Sequence, residues 1–480
     1  MNYILPEDVE YQEVKRPARR ELGDCPRLPE QVYEKRYEKL YEKMDEDGLD
    51  VAVVYGDREH YSNFRYLAAF DPRFEEGVLV AHRNGKNYVL LGNECLNLYR
   101  ECKVAAEPVL CQILSLPNQP MDEFQSMEES FRRAGIREGM KTGVVGWKLF
   151  TGRAEGNIFD VPSYMVDALK EVAGDENVRN ATGMFIDPER GIRTVNDVHT
   201  IAVLEHGAAE ASGCLIDMLE ALEPGKSEVE LGAYLNPKGK VMSCHPLLAV
   251  GANRERGLVS VTDYRVQRGD AFCASMGLEG GLSCRAGYVA EGIEDLKKGA
   301  GDYLEKLAKP YFAAVATWYE NIGIGMTGGE IYQAVQSIIP KEKYGWVLNP
   351  GHLIGSEEWL SSPFYPGSGI GLKSGMLIQM DIIPGMEGYG GPNCEDGICI
   401  ADEGLQKELE ENYPEVWERM NARKRYMKEE LGIALKPEVF PMSDIAGWFN
   451  PFALNKDGGL SVKRSSNCFS NLSSQQGLFR

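Results

Sequence analysis

The stretch that most constrains this chain lies near its C-terminal end, residues 345–404: GWVLNPGHLIGSEEWLSSPFYPGSGIGLKSGMLIQMDIIPGMEGYGGPNCEDGICIADEG. Its apolar runs, such as 376–380 and 398–400, predict buried strands bounded by Gly, Pro and Ser turns. Ionisable residues interrupt those runs where a core strand would not tolerate them. His352 follows a Pro-Gly turn, Asp381 ends one run, and Glu395 and Asp396 open the next. A carboxylate at the end of a buried strand must be ion-paired, hydrogen-bonded or metal-bound, because a bare buried charge is too costly. One His and two carboxylates from three successive turns therefore mark a candidate site. The alternative is that each is a solvated turn residue.

A chain of 480 residues is too long for one ordinary core, so two or three domains are expected. The sequence is 43% hydrophobic and 26% charged, with mean hydropathy −0.33. No segment approaches the roughly 18 apolar residues of a membrane-spanning helix. The opening MNYILPEDVEYQEVKRP is acidic and poor in apolar residues, unlike a signal peptide. Eleven Cys fall singly, with no CxxC pair, which reads as reduced thiols in a cytoplasmic protein. A net charge of −21 argues against nucleic-acid or anionic-membrane partners, which need a basic face. Six His leave little material for a His-cluster metal site.

Residues 30–49 space Tyr33, Tyr37 and Tyr41 four apart among Glu and Lys, predicting an amphipathic helix that stops at Gly48. The apolar strand LDVAVVYG follows, then EHYSNFRYLAAFDPRFEEG, which reads as a turn-rich connection. Arg83-Asn84-Gly85-Lys86 between two apolar runs predicts a hairpin. Helix and strand patterns continue, giving an N-terminal α/β domain over residues 1–185. A second domain is expected over 190–430. It opens with a long helical period in TVNDVHTIAVLEHGAAEASGCLIDMLEAL, and a second helix starts at Ser227. Antiparallel strands are expected in HPLLAVGANRERG and YRVQRGDAFCASMGLEGGLSCRAGYVAEG, and helices over 304–322 and in MTGGEIYQAVQSII. Residues 431–480, with VFPMSDIAGWFNPFALN, read as a C-terminal extension.

This order of elements, with the motifs NFRYLAAFDPRFE, RTVNDVHTIAVLEHGAAEA, VQRGDAFCASMG, PGHLIG and GMLIQMDIIP…CEDGICIADEG, resembles the creatinase / aminopeptidase P / prolidase family. The resemblance runs to about residue 405, and Glu205-His206-Gly207-Ala208 is closest to creatinase. It implies an α+β architecture: a creatinase-like α/β domain followed by a pita-bread domain, a curved antiparallel sheet with flanking helices. The family's peptidases hold two divalent ions with two Asp, one His and two Glu. Carried over, the His falls on His352 and the two Glu on Asp381 and Glu395. The first Asp falls on Ser275, and the second on Ala286 or Leu282, none of which can supply a carboxylate's charge. The peptidases' second His falls on Trp359. Creatinase hydrolyses a guanidino C–N bond without metal, but its catalytic His falls on Leu258 and its later Glu on Cys284 or Tyr288.

The resemblance thus implies a divergent hydrolase of a C–N bond in a small polar substrate, without the dinuclear centre and with no cofactor. His352, Asp381 and Glu395 are its expected catalytic residues. Arg285 would neutralise the two carboxylates or grip a substrate carboxylate, and His245, Glu358 and Trp359 are further candidates for substrate binding. Two alternatives stand beside it. One is an Xaa-Pro peptidase with a single divalent ion (Mn, Zn or Fe) on His352, Asp381 and Glu395. The other is a non-catalytic protein binding a small molecule or peptide. A cytoplasmic homodimer without nucleic-acid or membrane partners completes the expectation.

Overall fold

A computed structural model describes residues 1–122, 125–151, 155–256 and 259–463. Strands are numbered in chain order. They begin with β1 (Val9–Glu13), β2 (Val51–Gly56), β3 (Gly77–His82), β4 (Asn87–Leu91), β5 (Glu107–Leu110), β6 (Thr142–Val145) and β7 (Val178–Asn180). The later strands are β8 (Cys244–Val250), β9 (Ala271–Leu278), β10 (Gly281–Tyr288), β11 (His352–Leu353), β12 (Leu377–Met380), β13 (Asn393–Ile400), β14 (Val439–Pro441) and β15 (Gly458–Val462).

Two compact units emerge: one of Arg27–Thr194, the other of Met1–Pro26 together with the chain from Val195 on. The first is a six-stranded sheet in the order β5-β4-β3-β2-β6-β7. β2, β3 and β4 run antiparallel, and β5, β6 and β7 add in parallel. Its core is built from the fully apolar strands, with Val51, Val53, Val78, Val80 and Leu90 against Phe131, Met165 and Leu169 of two helices. The helix predicted over 30–49 spans Glu30–Asp47 and closes on Gly48, whose φ of 65° is the left-handed cap glycine accepts readily. The connection after β2 differs from expectation. Ser62–Ala68 is a helix without a side-chain cap, and it forms because Phe64 and Leu67 are fully buried.

The second unit holds the sheet β11-β12-β13-β10-β9-β8, with β14 on a free part of β13, every pairing antiparallel. The helix Val198–Ala221 starts at Asp197, whose carboxylate caps the backbone of His199 and Thr200. It packs on β9 and β10 so closely that a Cβ on Gly207 would stand 1.9 Å from the Glu279 carbonyl oxygen. This is the α+β architecture with an antiparallel pita-bread sheet that the resemblance implies.

The partition differs from the expected one at both ends of the chain. β1 pairs in full register with β15, from Val9 opposite Val462 to Glu13 opposite Gly458, which ties the first 26 residues to the second unit. The stretch read as an extension contributes β14 and the buried Met442, Ile445, Trp448 and Phe449 to the same unit. Residues 464–480 lie outside the described residues. No helix among the described residues is long and apolar enough to cross a membrane.

Candidate active site

Alternation along paired strands decides which side chains share a face of the sheet. Ser275 on β9 stands opposite Cys284 on β10, and Cys284 stands opposite Glu395 on β13. Further along β13, Gly397 is opposite Gln379 of β12, which is opposite His352 of β11. Glu395 and Gly397 are two residues apart, so Ser275, Cys284, Glu395, Gln379 and His352 all lie on one face. Asp381, two beyond Gln379, joins them. The Pro-Gly turn that delivers His352 depends on Gly351: its φ is 137°, and a Cβ there would lie 2.7 Å from the Gln379 carbonyl oxygen.

His352, Asp381 and Glu395 are all buried, which rules out the solvated-turn reading for each. One ligand atom from each residue lies within 4.8 Å of the other two. The His352 Nδ1–H faces the Leu353 carbonyl oxygen at 3.2 Å, which leaves Nε2 turned into the site. Nε2 is 3.0 Å from Glu358 Oε1 but off the hydrogen-bond direction, so it makes no hydrogen bond among the described residues. The imidazole stacks on Trp359, centroids 4.0 Å apart and planes at 19°.

Glu395 takes 3.1 Å and 3.5 Å bonds from the side-chain amides of Gln379 and Asn393. The amide oxygens of both residues, and Asp381 Oδ1, have no hydrogen-bond partner among the described residues. Among the described residues, the imidazole is the one side chain that can carry a positive charge beside Asp381 and Glu395. Burial pushes Asp381 up to about 7, against the pull of His352 and with the push of Glu358. Burial, Asp381 and Glu358 hold Glu395 well above the ordinary carboxylate range. His352 loses basicity to burial, but Glu358 and Asp381 more than offset that and raise it.

Arg285 is elsewhere. It alternates with Cys284 and so points to the opposite face, where Nη2 meets Asp396 Oδ2 at 2.6 Å. Nη1 reaches the carbonyl oxygens of Cys284 and Glu395 at 2.5 and 3.3 Å, and Nη2 also bonds the Ile445 carbonyl. Burial works against the guanidinium, but Asp396 more than offsets it and keeps Arg285 charged. The expected contact of Arg285 with Asp381 and Glu395 is therefore not made: the strand period sends it to the back of the sheet. His245 is exposed beside a bulge on β8, at the other end of the sheet order from β11. Glu205 of the creatinase-like motif is fully buried and ion-paired with Arg419 and Arg423, a structural role. Leu258 lies outside the described residues.

Of the expected residues, the structure brings together His352, Asp381, Glu395, Glu358 and Trp359, and separates Arg285 and His245 from them. Sequence reasoning passed over Gln379 and Asn393. A signal for both existed: each is polar, and each stands two residues before a site carboxylate.

The cluster fits one divalent ion. It offers two carboxylates and the imidazole Nε2, which has Glu358 beside it, with Asp381 Oδ1 left unsatisfied among the described residues. Nearest Glu395 in register on this face, β9 and β10 present Ser275, Leu282, Cys284 and Ala286, none of them a carboxylate.

No protein-family model matches the chain, and no curated protein matches it in sequence. Solved structures do resemble it. The Xaa-Pro dipeptidase from Bacillus anthracis is 20% identical, with a TM-score of 0.58 over 77% of this chain and 96% of that one. The prolidase from Pyrococcus horikoshii is 18% identical, with a TM-score of 0.60 over 76% and 95%. The X-Pro aminopeptidase from Thermotoga maritima is 14% identical, with a TM-score of 0.58 over 76% and 95%. The chain thus has the pita-bread fold of the prolidase and aminopeptidase P structures. The family resemblance in its motifs holds at the level of that fold.

Proposed function

We propose that this protein hydrolyses a C–N bond in a small polar substrate, at a cage that holds a single cation between His352, Asp381 and Glu395. One observation carries the reading: the buried cage is rich in acceptors and poor in donors. Asp381 Oδ1 and the oxygens of Gln379 and Asn393 all lack a donor among the described residues. Unpaired buried acceptors are expensive, and a cation bound between the two carboxylates relieves that cost at Asp381.

In the first form of this reading the cation is the substrate's own ammonium or guanidinium group. Asp381 and Glu395 bind it, Gln379 and Asn393 orient Glu395, and His352 Nε2 carries the proton to the leaving nitrogen. Glu358, beside Nε2, keeps the imidazole basic enough for that task. Trp359 fixes the ring plane and keeps water from that side of it.

The close approach of the three ligand atoms favours a second form, in which one divalent ion sits on His352, Asp381 and Glu395. Bound there, it would supply a Lewis acid and a water of lowered pKa. The names of the similar structures, Xaa-Pro dipeptidase and X-Pro aminopeptidase, suggest the substrate class for this form. In either form the protein is read as a cytoplasmic homodimer, which light scattering tests.

Elemental analysis of protein purified without chelator separates the forms, paired with assays on Xaa-Pro dipeptides and on small guanidino compounds. About one equivalent of metal and peptide turnover supports the second form; metal-free turnover of guanidino compounds supports the first. Two equivalents of metal overturn the single-cation reading. Binding without turnover across both panels overturns the hydrolase.

A further inference from the structure

Cys273 on β9 and Cys284 on β10 bring their sulfurs to 3.6 Å. They are diagonal neighbours, since Cys284 is opposite Ser275 and Cys273 is opposite Ala286, and they share the face that carries Glu395. A single buried thiol is usually a small hydrophobe. Two thiols in sulfur contact, on the wall of a site, have chemistry available that neither has alone.

We propose that Cys273 and Cys284 form a reversible disulfide in the wall of the candidate site, a redox modification driven by a hydroperoxide. Cys273 is the less buried member and the point of attack, while Cys284 is buried. The sulfur–sulfur hydrogen bond with Cys284 and, further off, Arg254 hold the Cys273 thiol below its usual value despite burial.

The Cys273 thiolate displaces hydroxide from hydrogen peroxide and becomes a sulfenic acid, the peroxide being reduced to water once that hydroxide gains a proton. The Cys284 sulfur then attacks the Cys273 sulfur, the S–O bond breaks, and the hydroxyl leaves as a second water with the Cys284 proton. Two thiols have lost two electrons, and a dithiol reductant reverses the change. The sulfurs must close from 3.6 Å to about 2.05 Å; diagonal neighbours stand about 7–8 Å apart, so closure requires β9 and β10 to shift toward each other there. In a reducing compartment the pair rests as a dithiol and closes only transiently. Cys284 stands opposite Glu395, so closure reshapes the cage wall and weakens cation binding there.

The test treats the folded full-length protein with equimolar hydrogen peroxide, alkylates the remaining thiols and maps the peptides. The expected result is a Cys273–Cys284 cross-linked peptide with the loss of two hydrogen atoms, reversed by dithiothreitol. In Cys284→Ser, a dimedone adduct should accumulate on Cys273 instead; in Cys273→Ser, the Cys284 thiol should stay alkylatable. Circular dichroism confirms that each variant is folded. Alkylation of both thiols after peroxide has oxidised other cysteines overturns the proposal. So does a Cys273 sulfinic acid with no cross-link in the unmutated protein.

Discussion

Glu395 and Asp396 are adjacent on β13 and both buried, yet the two faces of the sheet treat them differently. On the back face both Asp396 oxygens have partners, although burial still holds this carboxyl above its usual value. Arg285 supplies a cation at 2.6 Å, and Ser443 and Ser283 donate hydroxyls at 2.6 and 3.2 Å. On the front face Glu395 has two amide donors and, among the described residues, no guanidinium or ammonium group, and it shares the space with Asp381 and Glu358. A matched buried ion pair adds little net stability but is costly to break, whereas an unmatched carboxylate stays protonated or waits for a cation. The contrast ties Asp396 to the framework and leaves Glu395 for the chemistry proposed above.

Substitutions on the two faces should therefore separate activity from stability. The largest effect is expected from His352→Ala. Turnover should fall by about 10²–10⁴-fold, the usual range for a general acid or base, with the fold retained by circular dichroism. Arg285→Met makes the converse break. It leaves Asp396 buried without its cation and should cost about 3–5 kcal/mol in urea unfolding. Restoring the balance with Arg285→Met/Asp396→Leu should recover most of that loss, while front-face cation binding persists in both.

The pH dependence should expose the front face alone. Asp381 is raised from an ordinary 3.8 to about 7, so the folded state holds its proton more tightly than the unfolded chain does. In the cation-free protein its ionisation thus costs stability progressively as pH rises between those values. The raised His352 acts in the same sense, since the stability it contributes in acid is lost as pH rises through its folded value. Cation affinity should move oppositely, by up to about tenfold per pH unit through neutrality, as each cation displaces a proton. Calorimetry in buffers of different ionisation enthalpy reads the released protons, and none released would break the comparison. The smallest effect is expected for Trp359→Leu. Losing a stacked pair worth about 0.5–1.5 kcal/mol should lower turnover by tenfold or less and leave Arg285 and Asp396 undisturbed.

Much of this was legible in the sequence because it is local. The helix over 30–47 with its Gly48 cap, the hairpin at Arg83–Lys86 and the strand that carries Glu395 follow from period, cap and turn chemistry. So does the choice of His352, Asp381 and Glu395, since each breaks an apolar pattern. The helix Ser62–Ala68 was not legible: it has no cap and is held by burial of Phe64 and Leu67. Nor was the role of the last described residues. Ser443 and Ile445 complete the Asp396 site some 160 residues from Ser283 and Arg285 in the chain, and β15 closes on β1 across almost its whole length.

By itself, then, the sequence determined that Glu395 and Asp396 must part to opposite faces, because side chains alternate along any strand. It also placed Arg285 one residue from Cys284, and so on the other side from it. Only the tertiary structure decided which face met which partner. A shift of one residue in the register of β10 against β13 would move Arg285 to Glu395 and leave Asp396 bare. That register is set by long-range pairing across the sheet and by the packing of the C-terminal segment behind it, which no local pattern encodes.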